Sequence, residues 1–418
     1  MRIVALIGLV FIAVGLAITS KPAFSEDTQR PRYRVPEFGG PSSVGGELNE
    51  GDGLTDPIYR FDVLQRVLSP WFDFKEDLSA DYGLSLGLDY QTLLQRVTDS
   101  PGEDGATGTI FRGYGSWTML GRDSDYSGSL VFKVEHRQRL GTDLAPQDLG
   151  FDAGALSITG TQFSDIGWAL TNFYWQQRLR IADRRVSFVA GQVDATDYVD
   201  VYGMISPLTA FSNLSFLTNP AIAAPNQGLG LAAGAFLSDH VYTLAGVADA
   251  NGDPTDPDFD LFNENETFKH IEIGWTSSYE RRYFDNIHLT AWQVDERDDA
   301  GVPDDRGVAF SAAWFVDNRW VPFLRGGWSD GDAALMQRNI STGLGYLNRH
   351  RDLMGLGLSW GEPGDDNLDD QYTAEVFYRF QFSRNFAITP SAQMILDPAL
   401  NPDDDELFFF GLRGRLNL

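Results

Sequence analysis

The chain alternates apolar and polar residues in sixteen short segments, and the connections between these segments are of two alternating kinds. Alternation with a period of two indicates β-strands with two different faces. Long acidic connections alternate with short basic ones, which is typical of a barrel threaded through a membrane, with tight turns on one side and free loops on the other. The long connections are predicted at 98–108, 140–167, 195–227, 250–267, 295–305, 330–339, 361–371 and 397–406, and the short ones at 121–126, 182–184, 238–239, 281–286, 317–319, 348–352 and 383–385.

The predicted fold is therefore all-β: a transmembrane, antiparallel, up-and-down β-barrel of about sixteen strands over residues 82–418. Each strand has about the ten residues that a tilted strand needs to cross a bilayer. The strands at 185–194 and 228–249 are rich in small residues, so fourteen or eighteen strands remain open alternatives. The predicted strands are 82–97, 109–120, 127–139, 168–181, 185–194, 228–237, 240–249, 268–280, 287–294, 306–316, 320–329, 340–347, 353–360, 372–382, 386–396 and 407–418.

The two faces of a strand indicate which side meets lipid. In the third strand Leu130 and Phe132 face one way, and Lys133 and Glu135 face the other. A charge on the lipid face costs about 2–4 kcal/mol at the midplane, so the charged face is expected to line a wet lumen. A soluble antiparallel strand also alternates, but tryptophans near strand ends, such as Trp168, suit an interfacial belt.

The N-terminus reads as an export signal over residues 1–25. Arg2 gives the positive start, an apolar stretch runs from 3 to 18, and residues 23–25 form a small-x-small cleavage site. A retained membrane anchor is the alternative. Beyond this region the sequence has no apolar stretch long enough for a spanning helix, which excludes a helical membrane protein.

A periplasmic leader is predicted over 26–81, before the barrel. Residues 26–57 are rich in proline, glycine and acids and read as flexible. An amphipathic helical segment follows at 59–68 and is expected to end at Pro70, and a second helical turn at 74–81 precedes the first strand. This region is either a packed adapter or a partial plug at the periplasmic mouth.

Composition narrows the function classes. The net charge of -27 argues against nucleic acid as a partner, and the absence of cysteine excludes disulfides and thiolate metal sites. The acidic residues fall in the predicted outer loops, where divalent cations could bridge them to lipopolysaccharide. Asp249, Asn251 and Asp253 begin a pattern near calcium-loop spacing, but Pro254 occupies the position of the required glycine, so a solvated loop is the better interpretation. No cofactor is predicted.

The most specific motif of the C-terminal half is AITPSAQ at 387–393 followed by DPALNP at 397–402. This block and several shorter motifs, which together cover about 70–418, resemble those of the carbohydrate-selective outer-membrane porins of the OprB type. The resemblance implies an outer-membrane channel through which sugars diffuse passively past a constriction of charged and aromatic side chains. Leu418 departs from the Phe or Trp that usually ends the signal for the barrel assembly machinery. Supporting motifs are AEVFYRF at 374–380, FGLRGRL at 410–416, YGLSL at 82–86 and VEHR at 134–137.

The inward faces give candidate channel-lining residues. Charged groups form strong hydrogen bonds with hydroxyls, and binding must stay weak for a solute to leave. Arg112 and Glu135 are the predicted eyelet, because they lie on adjacent strands and offer both donors and acceptors; alternatively, the inward charges only brace the wall. One of the loops 140–167 and 195–227 is expected to fold inward, the second by packing Phe211, Phe216 and Pro220. The candidates are Asp89, Gln91, Arg112, Tyr114, Lys133, Glu135, Arg137, Tyr174, Arg178, Glu375, Arg379 and Arg413.

Other functions remain as alternatives. A porin that prefers small anions is one, because basic inward residues outnumber acidic ones, and a surface adhesin or purely structural barrel is another. An enzyme is not expected, since Ser129 and His136 face opposite ways and form no Ser–His arrangement. The expected partners are outer-membrane lipid and lipopolysaccharide, the barrel assembly machinery and sugars in transit; a homo-oligomer is left open.

Overall fold

The sixteen predicted strands form one closed antiparallel barrel, in which every strand pairs with its sequence neighbours and β1 pairs with β16. The computed structural model describes residues 38–53, 62–122, 124, 126–258, 266–348 and 352–418. The predicted signal peptide lies outside these residues. The closing ladder runs from Asp89 opposite Asn417 to Val97 opposite Phe409. The predicted fold and strand number are thus confirmed, and fourteen or eighteen strands are excluded.

The strand bounds follow the predicted ones closely, with the largest differences at the ends of β2, β8 and β10. The strands are β1 Leu84–Val97, β2 Gly105–Leu120, β3 Gly128–Arg139, β4 Gly167–Ile181, β5 Arg184–Val193, β6 Gly228–Phe236, β7 Val241–Asp249, β8 Thr267–Thr276, β9 Asn286–Val294, β10 Asp305–Ala313, β11 Trp320–Ser329, β12 Arg338–Leu347, β13 Leu353–Glu362, β14 Gln371–Gln381, β15 Phe386–Leu396 and β16 Glu406–Asn417.

The barrel is apolar outside and polar inside. On β8, Ile271 and Ile273 are 57% and 53% exposed, whereas the intervening Glu272 and the preceding His270 are 3% and 6% exposed. Burying a charged group requires partners, and Glu272 finds them within the lumen, where it accepts hydrogen bonds from Tyr242 and Thr290. The outer belt of exposed apolar side chains is the surface that lipid covers. In the described part of the chain, no helix is both long and apolar enough to span a bilayer.

Among the described residues, two α-helices precede the barrel: α1 at Val44–Gly53 and α2 at Asp62–Asp77. The expectation that Pro70 ends its helix is wrong, because α2 continues through Pro70 to Asp77. Contacts beyond the proline hold the helix: Lys75 donates a 3.2 Å hydrogen bond to the Leu418 carbonyl. A single π-turn, Leu78–Tyr82, then ends at Gly83, whose positive φ of 72° is readily adopted by glycine.

The described part of the predicted flexible stretch, residues 38–53, is packed rather than flexible. Residues 38–53 enter the lumen, where Val44 is completely buried and Phe38 and Glu47 are almost so. A Cβ at Gly40 would overlap with Val201 of the loop between β5 and β6, so the missing side chain permits this close approach. The proline- and glycine-rich composition indicated a flexible segment. Its contacts are with distant strands and a loop of the barrel, which the local sequence does not reveal.

Both long loops fold inward. Loop 195–227 carries two 3₁₀ turns and buries Phe211 and Phe216 completely, as predicted for the second of the two loops. Loop 140–166 includes a short helix, α3 at Leu149–Asp152, and packs Phe163 against Leu93 and Ile110 of β1 and β2. The two loops are joined to each other by a 3.0 Å hydrogen bond from Thr161 N to Ser212 O. The lumen is therefore narrowed by two loops and by the N-terminal segment.

Candidate functional site

Charged side chains of neighbouring strands meet inside the barrel, where β16, β1, β2 and β3 lie side by side. Arg112 on β2 is the register partner of Glu135 on β3, with 4.0 Å between Nη1 and Oε1. Its Nη2 lies 3.3 Å from Oδ2 of Asp89, which accepts a 2.6 Å hydrogen bond from Nε of Arg415. Arg137 completes the row with a 2.5 Å ion pair to Glu135. Cations and carboxylates alternate across this part of the wall, which we call the ionic row.

The ionic row is buried and yet incompletely satisfied. Arg112 is 1% exposed and Glu135 is 0% exposed. Among the described residues, Nε of Arg112, Oε1 of Glu135 and Oε1 of Gln91 have no hydrogen-bond partner. Within the same part of the chain, Nη2 of Arg112 also lacks a hydrogen-bond partner. Buried polar groups are normally paired, so two donors and two acceptors are unsatisfied here. Gln91 itself donates a 2.9 Å bond to Asp89, and the guanidinium of Arg112 lies 5.4 Å from the ring centre of Tyr114.

The N-terminal segment covers the ionic row. Oε1 of Glu47 accepts a 2.6 Å hydrogen bond from Nη1 of Arg112. One helical turn later, Glu50 bridges two strands: it accepts bonds of 2.8 Å from Arg379 on β14 and 3.0 Å from Arg415 on β16. Two acids of the leader thus pair with three arginines of the wall.

The two acids have opposite electrostatic surroundings. Burial raises the pKa of Glu47, and the opposing attraction of Arg112 and Lys133 is smaller. Burial acts in the same direction on Glu50, but Arg415 and Arg379 outweigh it and lower the pKa of Glu50 to about 2. Glu50 accepts hydrogen bonds from two guanidinium groups, whereas Glu47 accepts one, and hydrogen bonds to the charged form favour ionisation. Glu50 is therefore the firmly ionised anchor of the segment.

Loop 195–227 is fastened to the far wall by Asp200. Its carboxylate accepts a hydrogen bond from Nη2 of Arg325 on β11 and lies 2.9 Å from Nε2 of His288 on β9. Burial tends to raise the pKa of Asp200, but Arg325 and His288 outweigh it, so the pKa lies below its usual range. Glu272 on β8 accepts a 3.0 Å bond from the backbone N–H of Asp200. The wall holds both the side chain and the backbone of this residue.

A second fastening uses backbone groups of the same loop. The carboxylate of Glu375 accepts 2.8 Å bonds from the backbone N–H groups of Ser212 and Asn213. Arg413 donates to the carbonyls of Pro207 and Ala210. Glu375 and Arg413, both predicted to line the channel, therefore bind the loop. This structural role is close to the alternative prediction, in which inward charges only brace the wall.

The remaining predicted residues lie at different places in the lumen. Lys133 on β3 is 4.0 Å from Asp197 of loop 195–227, and Asn172 donates a 3.2 Å bond to the same carboxylate. Burial raises the pKa of Asp197 to about 8, although Lys133 opposes this. Tyr174 is buried on β4. Arg178 is half-buried on the same strand, near the turn to β5.

Several luminal residues were not predicted from the sequence: Glu47, Glu50, Asp197, Asp200 and His288. The acids lie in a leader and a loop, where strand parity gives no information. His288 did lie on a predicted strand, but its role depends on a loop residue that is 88 positions away. The positive φ of 53° at Asp200, unusual for a residue other than glycine, also emerges only in the folded chain.

The arrangement suits a narrow polar channel. It offers guanidinium donors and carboxylate acceptors within a few ångströms, and the inward loop 195–227 adds aromatic rings, with 5.0 Å between the ring centres of Phe211 and Phe377. Among the described residues, no group of three or more His, Asp or Glu side chains is placed to hold a metal ion. The acidic loop after Asp249 is described only as far as residue 258.

Solved structures with this fold include porins. The high-pH structure of Pseudomonas putida OprB superimposes with a TM-score of 0.67 at 14% identity, covering 83% of this chain and 97% of that chain. The low-pH structure of the same protein gives a TM-score of 0.50 at 13% identity, with 83% and 96% covered. At such identities the likeness concerns the fold. None of the curated proteins matches the chain.

The family model of the carbohydrate-selective porins, OprB family, matches residues 129–418. The matched region runs from β3 to the C-terminus and includes more than half of the chain. The resemblance stated from the sequence motifs is thereby confirmed, as is a β-barrel channel of the outer membrane through which sugars diffuse. The chain belongs to the OprB family of carbohydrate-selective porins.

Proposed function

We propose that sugars cross the outer membrane passively through this barrel, without a cofactor or a catalytic step, past an eyelet of Arg112 and Glu135. The supporting observation is that two atoms of the ionic row, Nε of Arg112 and Oε1 of Glu135, have no hydrogen-bond partner in the described part of the chain. A sugar hydroxyl is both donor and acceptor, so one hydroxyl can serve either atom. Asp89, Gln91 and Arg137 flank the eyelet and extend the polar track along the wall.

The charges of the eyelet also favour neutral solutes. Arg112 contacts carboxylates of β1, β3 and α1, at 3.3, 4.0 and 2.6 Å. An anion would compete with these carboxylates for one guanidinium, whereas a neutral sugar does not require their displacement. This arrangement supports sugars over small anions as the preferred solutes.

Liposome swelling tests the eyelet. Purified porin is reconstituted, and swelling rates are measured with sugars of increasing size and with charged solutes, for the wild type and for Arg112→Ala and Glu135→Ala. The exposed Arg306, which pairs with Asp330 at a loop end, supplies the control Arg306→Ala. We expect the two eyelet variants to change the order of rates across the sugar series and the control to keep it. Unchanged profiles in both eyelet variants would remove the eyelet and leave the porin function intact.

We also propose that both termini face the periplasm and that residues 1–25 are removed on export. Lys75 of α2 contacts Leu418, and Arg122 of the short β2–β3 turn donates a 2.8 Å bond to the carbonyl of Asp81. The leader, the C-terminus and a short turn therefore share one barrel end. A C-terminal epitope tag should stay inaccessible to antibody on intact cells, and N-terminal sequencing of the mature protein should begin at Glu26.

The acidic loops at the other end of the barrel then face lipopolysaccharide, and divalent cations bridge the loop carboxylates to the lipopolysaccharide. The barrel assembly machinery inserts the chain into the outer membrane. Chelation of divalent cations should lower the amount of lipopolysaccharide that copurifies with the porin. Native mass spectrometry of detergent-solubilised protein would give the number of copies.

A further inference from the structure

The N-terminal segment, residues 38–53, crosses the barrel from one wall to the opposite wall. At its start the ring of Phe38 packs beside Gly234 on β6, and its carbonyl accepts a 3.2 Å bond from the hydroxyl of Tyr283. At its end Glu50 pairs with Arg379 on β14. In a closed barrel of sixteen strands, β6 and β14 are eight strands apart, on opposite sides.

The middle of the segment is fixed as well. Gly40 N donates a 2.7 Å hydrogen bond to the carbonyl of Asp197, so the segment leans on the inward loop 195–227. Val44 is fully buried, and Glu47 pairs with Arg112 of the ionic row. The segment therefore has apolar contacts at one wall, a backbone bond to the loop, and ion pairs at the other wall.

The negative charge of the segment affects which ions and solutes pass through the lumen. Arg112, Arg379 and Arg415 are the wall cations that Glu47 and Glu50 neutralise. Without these two acids, Arg112 would keep Asp89 and Glu135 as carboxylate neighbours and Arg415 would keep Asp89, so these two guanidinium groups would share the Asp89 carboxylate. A cleft lined by one sign of charge concentrates ions of the opposite sign. The lumen would then attract anions.

We propose that the N-terminal segment is a selectivity filter of this porin, in which Glu47 and Glu50 determine specificity by cancelling the positive charge of the wall and by narrowing the lumen. By cancelling part of the positive charge, the segment makes an otherwise basic channel suitable for neutral solutes. This role goes beyond the eyelet, because it depends on leader residues that lie outside the part matched by the family model.

Planar-bilayer recordings measure the proposed selectivity directly. The double variant Glu47→Gln/Glu50→Gln keeps the shape of both side chains and removes their charge. In a salt gradient we expect its anion-to-cation permeability ratio to rise by about tenfold at low salt and by less at about 1 M, where charges are screened within about 3 Å. Glu103→Gln, at an exposed loop position, is the matched control and should leave the ratio unchanged.

The narrowing is tested by a variant that lacks residues 38–50. We expect a higher single-channel conductance and a larger size limit in liposome swelling. Heat-modifiable mobility on gels shows whether the barrel of each variant has folded. A folded deletion variant with wild-type conductance and size limit would overturn the narrowing.

Cross-linking tests the position of the segment independently of its effect on transport. The chain contains no cysteine, so Glu50→Cys combined with Arg379→Cys creates the only thiol pair. A flexible bifunctional maleimide should join the two positions because its span replaces the length of the original Glu–Arg side-chain pair, whereas a direct disulfide needs Cα atoms within about 7 Å. Glu50→Cys with Arg338→Cys, at an exposed strand end, should not cross-link. Failure to join Glu50 to Arg379 would overturn the placement; efficient joining with unchanged ion selectivity in the Gln double variant would overturn the filter.

Discussion

Two of the three inserts in the lumen, loop 195–227 and the N-terminal segment 38–53, are held there by different forces. Loop 195–227 is joined to strands at both ends, and it carries an aromatic cluster in which Phe211 lies 4.9 Å from Phe216 and 5.9 Å from Phe323 between ring centres. The N-terminal segment 38–53 reaches the ionic row through side-chain ion pairs. The loop contributes the larger aromatic cluster, whereas the segment, beyond its apolar anchors Phe38 and Val44, is held by ion pairs.

The expected energies differ accordingly. Complete burial of a phenylalanine contributes about 1.5–3 kcal/mol, and its contribution does not depend on pH or salt in the working range. A buried ion pair loses most of its attraction to desolvation, so it adds little net stability but fixes which groups meet. Substitutions in the loop should therefore mainly change the free energy of unfolding, and substitutions in the segment should mainly change which solutes pass through the lumen.

The largest effect should follow Phe211→Ala. This side chain is fully buried between Phe216, Phe323 and Phe377. Truncating a buried phenylalanine leaves a cavity and costs about 3–5 kcal/mol. We expect this loss in the free energy of unfolding, measured by urea titration of tryptophan fluorescence in phospholipid vesicles, together with a higher conductance as the loop loosens.

Phe410→Ala is the matched control, because Phe410 lies on the outer face and is 56% exposed. Its truncation removes lipid contacts but opens no luminal cavity, so conductance should stay at the wild-type value. An equal change of conductance in both variants would contradict the core role of the loop.

A smaller effect is expected from Glu375→Gln. The carboxylate accepts two backbone N–H groups, from Ser212 and Asn213, and an amide can accept with only one of its two ends. The other end would present its NH₂ to a backbone donor and leave that donor unpaired, at a cost of about 1–3 kcal/mol. The same urea titration measures the loss, and Glu406→Gln, at an exposed strand end, should change stability by much less.

The contrast between the inserts also explains what the sequence could predict. Strand parity placed Arg112, Glu135 and Arg137 on one face, and the register of adjacent strands brings them together as expected. Parity works because each strand of a barrel has one wet face and one lipid face. The same rule identified Glu375 and Arg413 as inward, although it could not show that they hold a loop.

The positions of the luminal inserts could not be predicted from strand parity, because these inserts lie outside the strands. Phe211 and Phe216 could be singled out because large apolar side chains in a loop need to be covered from water. Nothing in the sequence indicated that Glu47 and Glu50 are buried, since acidic side chains in a glycine-rich leader are normally exposed to water. Their placement depends on Arg112, Arg379 and Arg415, which are between 65 and 365 positions away in sequence. Pairings at that separation become visible only once the barrel has closed.

The junction of the two inserts should respond to pH. Burial raises the pKa of Asp197 from its ordinary 3.8 to about 8, with Lys133 opposing and Asp194 and Glu47 adding to the rise. Because the folded state favours the protonated acid, its stabilisation is complete below about pH 4 and is lost as pH rises through about 8. We expect contact between segment and loop to weaken, and conductance to rise, between pH 6 and about 9.

Asp197→Asn keeps the neutral form at every pH. Its conductance should therefore stay near the acid value of the wild type across the whole window. Asp299→Asn, in an exposed loop, should retain the wild-type pH profile. A wild-type profile in Asp197→Asn would assign the pH dependence to another group.

The smallest effect should come from ion pairs outside both inserts. Arg306 pairs with Asp330 at 2.9 Å, which is close to the distances of the luminal pairs, but their side chains are 73% and 46% exposed. Water screens such a pair, and exposed pairs contribute about 0–1 kcal/mol. Arg306→Ala should therefore change the free energy of unfolding by less than about 1 kcal/mol and leave ion selectivity unaltered. A selectivity change as large as that of Glu47→Gln/Glu50→Gln would mean that charge at the loop ends, rather than the acids of the luminal segment, decides which ions enter.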